Sequence, residues 1–188
     1  ATEGGTITYT ATLGAVGTSD VTVLLSSGDI ITIAAGDLSG TVDVTLDNDI
    51  YTGAADVVTT ITSATGGDFE ALDTAGTVTT SVADNVDTTT VTLTGDTTAT
   101  EGGTITYTAT LGAVGTSDVT VLLSSGDSIT IAAGDLSGTV DVSVDNDIYT
   151  GAADVVTTIT SATGGDFEAL DTAGTVTTSV ADNVDTTT

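Results

Sequence analysis

Residues 1–90 recur as residues 99–188 with three substitutions, so the chain is two near-identical copies of one unit at a 98-residue period. The differing pairs are Ile30/Ser128, Thr45/Ser143 and Leu46/Val144. No other feature constrains the fold as much. A repeat of roughly 20–50 residues points to a solenoid whose units need their neighbours, whereas a unit of about 100 residues can close a core of its own. The expected organisation is therefore two tandem domains, residues 1–90 and 91–188. Repetition this close to verbatim serves length, or many equal sites, better than it serves one unique pocket.

The chain carries 27 carboxylates (23 Asp, 4 Glu) and no Lys, Arg or His, for a net charge of −27. Such charge favours disorder unless enough apolar surface can be buried. Here 39% of residues are apolar and mean hydropathy is +0.35, with Val, Ile and Leu in regular alternation, so each copy can form a core. Two carboxylates 4 Å apart repel by about 4 kcal/mol at an effective dielectric near 20, so a cluster of them needs a cation from outside or must splay. Nucleic acid is excluded as a partner by the sign of the charge. The absence of Cys removes disulfides and thiolate metal sites. No apolar run is long enough for membrane insertion of this segment.

Threonine supplies 47 of the 188 residues and sets the secondary structure. Thr6-Ile7-Thr8-Tyr9-Thr10-Ala11-Thr12-Leu13 alternates polar and apolar without a slip, the pattern of a half-buried strand. Period-two runs also begin at Val21, Ile31, Val42, Val57 and Val78, separated by Gly, Asp, Asn and Ser as turns require. Val91-Thr92-Leu93-Thr94-Gly95-Asp96 alternates in the same way and reads as the first strand of the second domain. The pattern predicts an all-β chain of tandem immunoglobulin-like β-sandwich domains with about seven antiparallel strands each. The equivalent of that strand would precede Ala1, so the first domain is expected to show a weakened sheet edge and the chain reads as a slice of a longer array.

Strand direction alternates in such a sandwich, which sorts the loops to two ends. One end of the first copy gathers Glu3, Asp29, Asp47, Asp49, Asp84 and Asp87; the other holds Asp20, Asp37, Asp68, Glu70 and Asp73. Tandem stacking is expected to place Glu3, Asp47, Asp49, Asp84 and Asp87 near Asp166 and Glu168. Ca²⁺ suits such a cluster because it takes six to eight oxygen ligands in flexible geometry, whereas Mg²⁺ demands a stricter octahedron. A single Asp such as Asp43 or Asp56 is explained by turn and surface chemistry alone. The spacing Asp47-x-Asp49-x-Tyr51-x-Gly53 is not that of an EF-hand loop.

TEGG before TITYTATL, DNDIYTG, TGGDFE and VADNVDTTT, in a repeat of this length, resemble the immunoglobulin-like extender repeats of the giant RTX adhesins of Gram-negative bacteria, including ice-binding and biofilm-forming members. The resemblance spans both copies and the joining strand. It implies a secreted, extracellular protein of the bacterial cell surface, exported by a type I system, whose partners are neighbouring identical repeats in the same chain. It also implies Ca²⁺-dependent folding, with ligands among Glu3, Asp47, Asp49, Asp68, Asp84 and Asp87 and, in the second copy, Glu101, Asp145, Asp147, Asp166, Asp182 and Asp185.

Function then reads as a calcium-rigidified extender that projects a distal binding domain, with no small-molecule substrate. A carbohydrate- or cell-binding sandwich is an alternative, though Tyr9, Tyr51, Phe69 and their copies are the only aromatic residues available as a sugar platform. An acidic surface-layer protein of a halophile is another. Catalysis is not expected: a two-carboxylate glycosidase is the one common chemistry that needs no His, Cys or Lys, and it requires a cleft with one raised and one ordinary pKa.

Overall fold

A computed structural model describes residues 1–186, and every regular element among them is a β-strand. The chain divides into two units: Ala1–Asp49 with Gly53–Asn85, and Ile50–Thr52 with the chain from Val86 onward.

The first unit contains β1 (Thr6–Thr12), β2 (Val21–Leu25), β3 (Ile30–Ile33), β4 (Ser39–Thr45), β5 (Val57–Gly66) and β6 (Thr77–Thr80). They form a two-stranded sheet, β1-β4, and a four-stranded sheet, β3-β2-β5-β6, with every pair antiparallel. The threonine alternation of β1 becomes an alternation of exposure: Ile7, Tyr9 and Ala11 point to the core and the threonines to solvent. Thr8 faces Asp43 across the pair and its hydroxyl donates to that carboxylate at 2.6 Å. In a chain without Lys or Arg, hydroxyl and backbone N–H groups take over the pairing of carboxylates.

The second unit contains β7 (Thr88–Gly95), β8 (Thr98–Thr100), β9 (Thr104–Leu111), β10 (Val119–Leu123), β11 (Ser128–Ile131), β12 (Ser137–Ser143), β13 (Val155–Gly164), β14 (Ala169–Ala173) and β15 (Thr175–Ala181). One sheet has the order β12-β9-β7-β14 and the other β11-β10-β13-β15-β8. Both contribute to one core, in which Val91, Ile105, Tyr107, Val121, Ile129 and Phe167 pack together, as a two-sheet sandwich requires. Tyr107 is fully buried and its hydroxyl accepts a 2.8 Å bond from buried Thr157. Tyr107→Phe leaves the buried Thr157 hydroxyl without its acceptor; the second unit should lose about 1–2 kcal/mol in denaturant unfolding. Ile50–Thr52 belong to this unit: the Tyr51 ring stacks on Phe167 with centroids 5.6 Å apart, and its hydroxyl donates to the Val114 carbonyl at 2.7 Å.

The strand count departs from seven, with six in the first unit and nine in the second, and two pairings, β14 with β7 and β15 with β8, are parallel. One element accounts for most of the difference. β7 pairs with β9 on one side and β14 on the other, and the chain then crosses at Asp96 and Thr97 to add β8 to the opposite sheet. The first unit is described without a counterpart of β7. There β1 pairs only with β4, and Ala71–Ala75, identical in sequence to β14, forms no strand. Thr2 keeps only an isolated bridge to Ala83 where the second unit has the β8–β15 ladder.

Candidate carboxylate centre

At the Val155 end of β13 in the second unit, three loops converge: the Glu101-Gly102-Gly103 turn, the Asp145–Gly151 loop and the segment after β15. The turn needs glycine, because Gly102 has φ +71° and its N–H reaches the Val144 carbonyl at 3.1 Å. Asp182 is held by the Gly151 N–H at 3.1 Å and Asp147 by the Tyr149 N–H at 2.6 Å. Asn183 donates to the Asn146 side-chain carbonyl at 3.3 Å, and Asn146 donates to Asp185 at 2.8 Å, so two Asp-Asn segments clasp each other. Below lies a cleft of about 310 Å³, walled by Ile105, Val142, Val144, Val155 and Val180, with Glu101 and Asp145 among its lining residues.

Glu101 is the buried carboxylate of this group. It accepts the Asn183 N–H at 3.4 Å and shares a hydrogen bond with Asp182, with the Asp147 charge also acting on it. Burial raises its pKa above the ordinary 4.5; the Asn183 N–H opposes that rise, while the Asp182 contact and the charges of Asp147 and Asp182 add to it. Two carboxyls in hydrogen-bond contact need a shared proton or a cation between them. The folded state therefore binds the Glu101 proton more tightly than the unfolded chain does. The stability linked to it is complete below 4.5 and is lost as pH rises through the folded-state value. Thermal melts of the metal-free chain should show the second unit gaining stability as pH falls through the raised folded-state value towards 4.5, and Glu101→Gln should make that gain smaller.

The first unit repeats the arrangement. Carboxylate oxygens of Glu3 and Asp84 lie within 4.8 Å of each other. The Gly53 N–H holds Asp84 at 2.9 Å, and Asn85 donates to the Asn48 side-chain carbonyl at 3.2 Å. The matching cleft, about 430 Å³, is lined by Glu3, Asp47 and Asp49 above Val44, Val57 and Val82. The asparagine clasp was outside the set of residues singled out in the sequence. Its signal was the presence of Asn within both acidic loop motifs, DND and ADN.

The remaining sequence-derived candidates lie elsewhere. Asp68 and Asp166 follow the far ends of β5 and β13, ten-residue strands that span about 30 Å. Both adopt positive φ, 60° and 58°, and accept hydroxyl bonds from Thr18 and Thr116. The turn they sit in aims Phe69 and Phe167 at the core. Gly165 is essential to it, since a Cβ there would stand 2.4 Å from Phe167 Cε2 and 2.7 Å from Val119 Cγ2. Gly165→Ala should destabilise the second unit by about 2–4 kcal/mol, measured by denaturant unfolding. Asp87 immediately precedes β7, and its N–H donates to the Glu168 carboxylate within the second unit.

Among protein families, the model of the LapA domain matches residues 1–85 and again residues 87–183. No curated protein matches the chain.

Proposed function

Because the chain belongs to the LapA domain family over nearly its whole length, we propose that it is an extender segment of a secreted repetitive adhesin, in which Ca²⁺ stiffens tandem immunoglobulin-like domains that project a distal binding domain from the bacterial surface. LapA is a large biofilm adhesin, which supports an adhesin role at the cell surface. Near-verbatim repetition supports a length-giving role over a unique binding pocket.

The observation that carries the metal reading is the contact between Glu101 and Asp182, with Asp147 acting on the same carboxyl, in a chain with no basic side chain. The donor set is all oxygen, anionic and carried on loops, which suits Ca²⁺ better than Mg²⁺ or a thiophilic metal. Glu101, Asp145, Asp147 and Asp182 would hold the ion in the second unit, and Glu3, Asp47, Asp49 and Asp84 in the first. When bound, the ion neutralises the carboxylates that otherwise repel. Asp185 takes part through Asn146, whereas Asp68 and Asp166 lie at the other end of their units. Extracellular modules of this kind bind at about 10⁻⁴–10⁻³ M, a range met in seawater and culture medium and not in cytosol.

Calorimetric titration of the chain with Ca²⁺ tests this directly. Saturable binding is expected, and Glu101→Gln combined with Asp182→Asn should remove the sites of the second unit while leaving those of the first. Titration heats that the double variant leaves unchanged would refute the assignment.

A further inference from the structure

A metal ion accounts for the carboxylates of the centre but not for the walls beneath them. In the second unit the cleft of about 310 Å³ opens where the two sheets part, with Ile105 and Val142 from one sheet and Val155 and Val180 from the other. Val144, just past β12, completes the wall. Val142, Val144 and Val155 are only half-buried, so aliphatic surface is left at the opening. Glu101, 8% exposed, and Asp145 line the same cleft. A hard cation takes oxygen ligands and gains nothing from valine, and water is poorly held in an aliphatic chamber.

The cleft is built into both copies and is present with β7 and without it. In the first unit Val44, Val57 and Val82 stand where the second has Val142, Val155 and Val180, and Glu3 and Asp47 where it has Glu101 and Asp145. The copies differ at only three positions, and two of them, Thr45/Ser143 and Leu46/Val144, line this cleft. Every carboxylate of the repeat is the same in both. The charge stays constant while the girth of the wall changes, as in a site that holds an apolar body beside a fixed positive head.

We propose that the cleft binds a short aliphatic primary amine in its protonated form, with the alkyl chain against Val142, Val144, Val155 and Val180 and the ammonium group at Glu101 and Asp145. An ammonium group has three N–H donors and no acceptor, so it suits carboxylates that no basic side chain of this protein can pair. An anionic or neutral apolar ligand would leave the buried Glu101 without a cation. Both clefts lie at the small end of the range of small-molecule sites, which fits a ligand of a few carbons and excludes a bulky one. Calcium needs only the carboxylates; the amine needs carboxylates and walls together, and its site stands whether or not calcium binds.

Calorimetric titration of the full chain in EDTA with n-pentylammonium chloride tests this, with methylammonium chloride as the probe of charge alone. Saturable binding at one site in each unit is expected, at least about tenfold tighter for n-pentylammonium because its methylene groups leave water. Val144→Thr combined with Val155→Thr keeps the branched, strand-compatible shape of both residues but puts hydroxyls on the wall. It should weaken n-pentylammonium at the second unit's site by at least about fivefold and leave the first unit's site as an internal control. Glu101→Gln, which leaves the wall intact, should remove binding at the same site. No saturable heat at millimolar n-pentylammonium, equal affinity for both probes, or an isotherm unchanged by either variant would each overturn the proposal.

Discussion

Leu93→Asp is expected to lower the melting temperature of the second unit by about 20 °C, whereas Thr92→Asp should shift it by less than about 3 °C. The two residues are neighbours on β7, but Leu93 is 5% exposed within the core and Thr92 faces solvent. An aspartate at 93 buries a charge that no basic side chain of this protein can pair with, at a cost of about 4 kcal/mol or more. That is a large share of the roughly 5–15 kcal/mol that holds a domain together. Detachment of β7 also removes the partner of β14, and the second unit then approaches the first, where the same five residues form no strand. Calorimetry of the full chain, with the Tyr9 and Tyr107 ring signals used to assign each transition, checks both variants. Equal effects at positions 92 and 93 would mean that β7 is not a core strand.

The alternation of the sequence carried most of this fold. Thr6–Thr12 and Thr88–Gly95 are strands whose buried faces are the ones their apolar residues mark, because period-two patterning is a direct record of which side faces the core. β14 was not legible. Ala-Leu-Asp-Thr-Ala has no alternation and becomes a strand only where β7 offers a free edge, so its structure is set by a partner about 80 residues away in sequence. β8 is three residues long and likewise depends on β15. The parallel pairings follow from these two strands, and local turn signals do not encode them.

The carboxylate centre was legible as a grouping of loops at one end of a sandwich, and the structure does gather Glu101, Asp145, Asp147 and Asp182 there. Which of them is buried was not legible. Glu101 and Glu3 have the same neighbours in sequence, yet Glu101 is buried and Glu3 half-buried. The two Asp-Asn segments were visible as turn formers, while the asparagine clasp between them depends on how the loops meet.

Calcium is expected to have the other large effect. An ion that binds the folded chain alone adds about 2.7 kcal/mol per site at a concentration 100 times its dissociation constant. For a unit of about 100 residues this corresponds to roughly 10–20 °C in melting temperature. The gain should be specific. The flexible, anionic oxygen set around Glu101 suits an ion of variable coordination, and a cation that merely screens charge acts equally on all 27 carboxylates. Glu101→Gln should abolish the calcium response of the second unit and leave that of the first, a separation that general screening cannot produce.

The most direct measurement is thermal unfolding of the chain in EDTA, in millimolar Ca²⁺ and in Mg²⁺ at matched ionic strength. A rise of about 10 °C or more in Ca²⁺ alone is the predicted result. Equal stabilisation by all salts would contradict it and leave the carboxylates as an acidic, solvating surface of the kind a halophile's surface-layer protein carries.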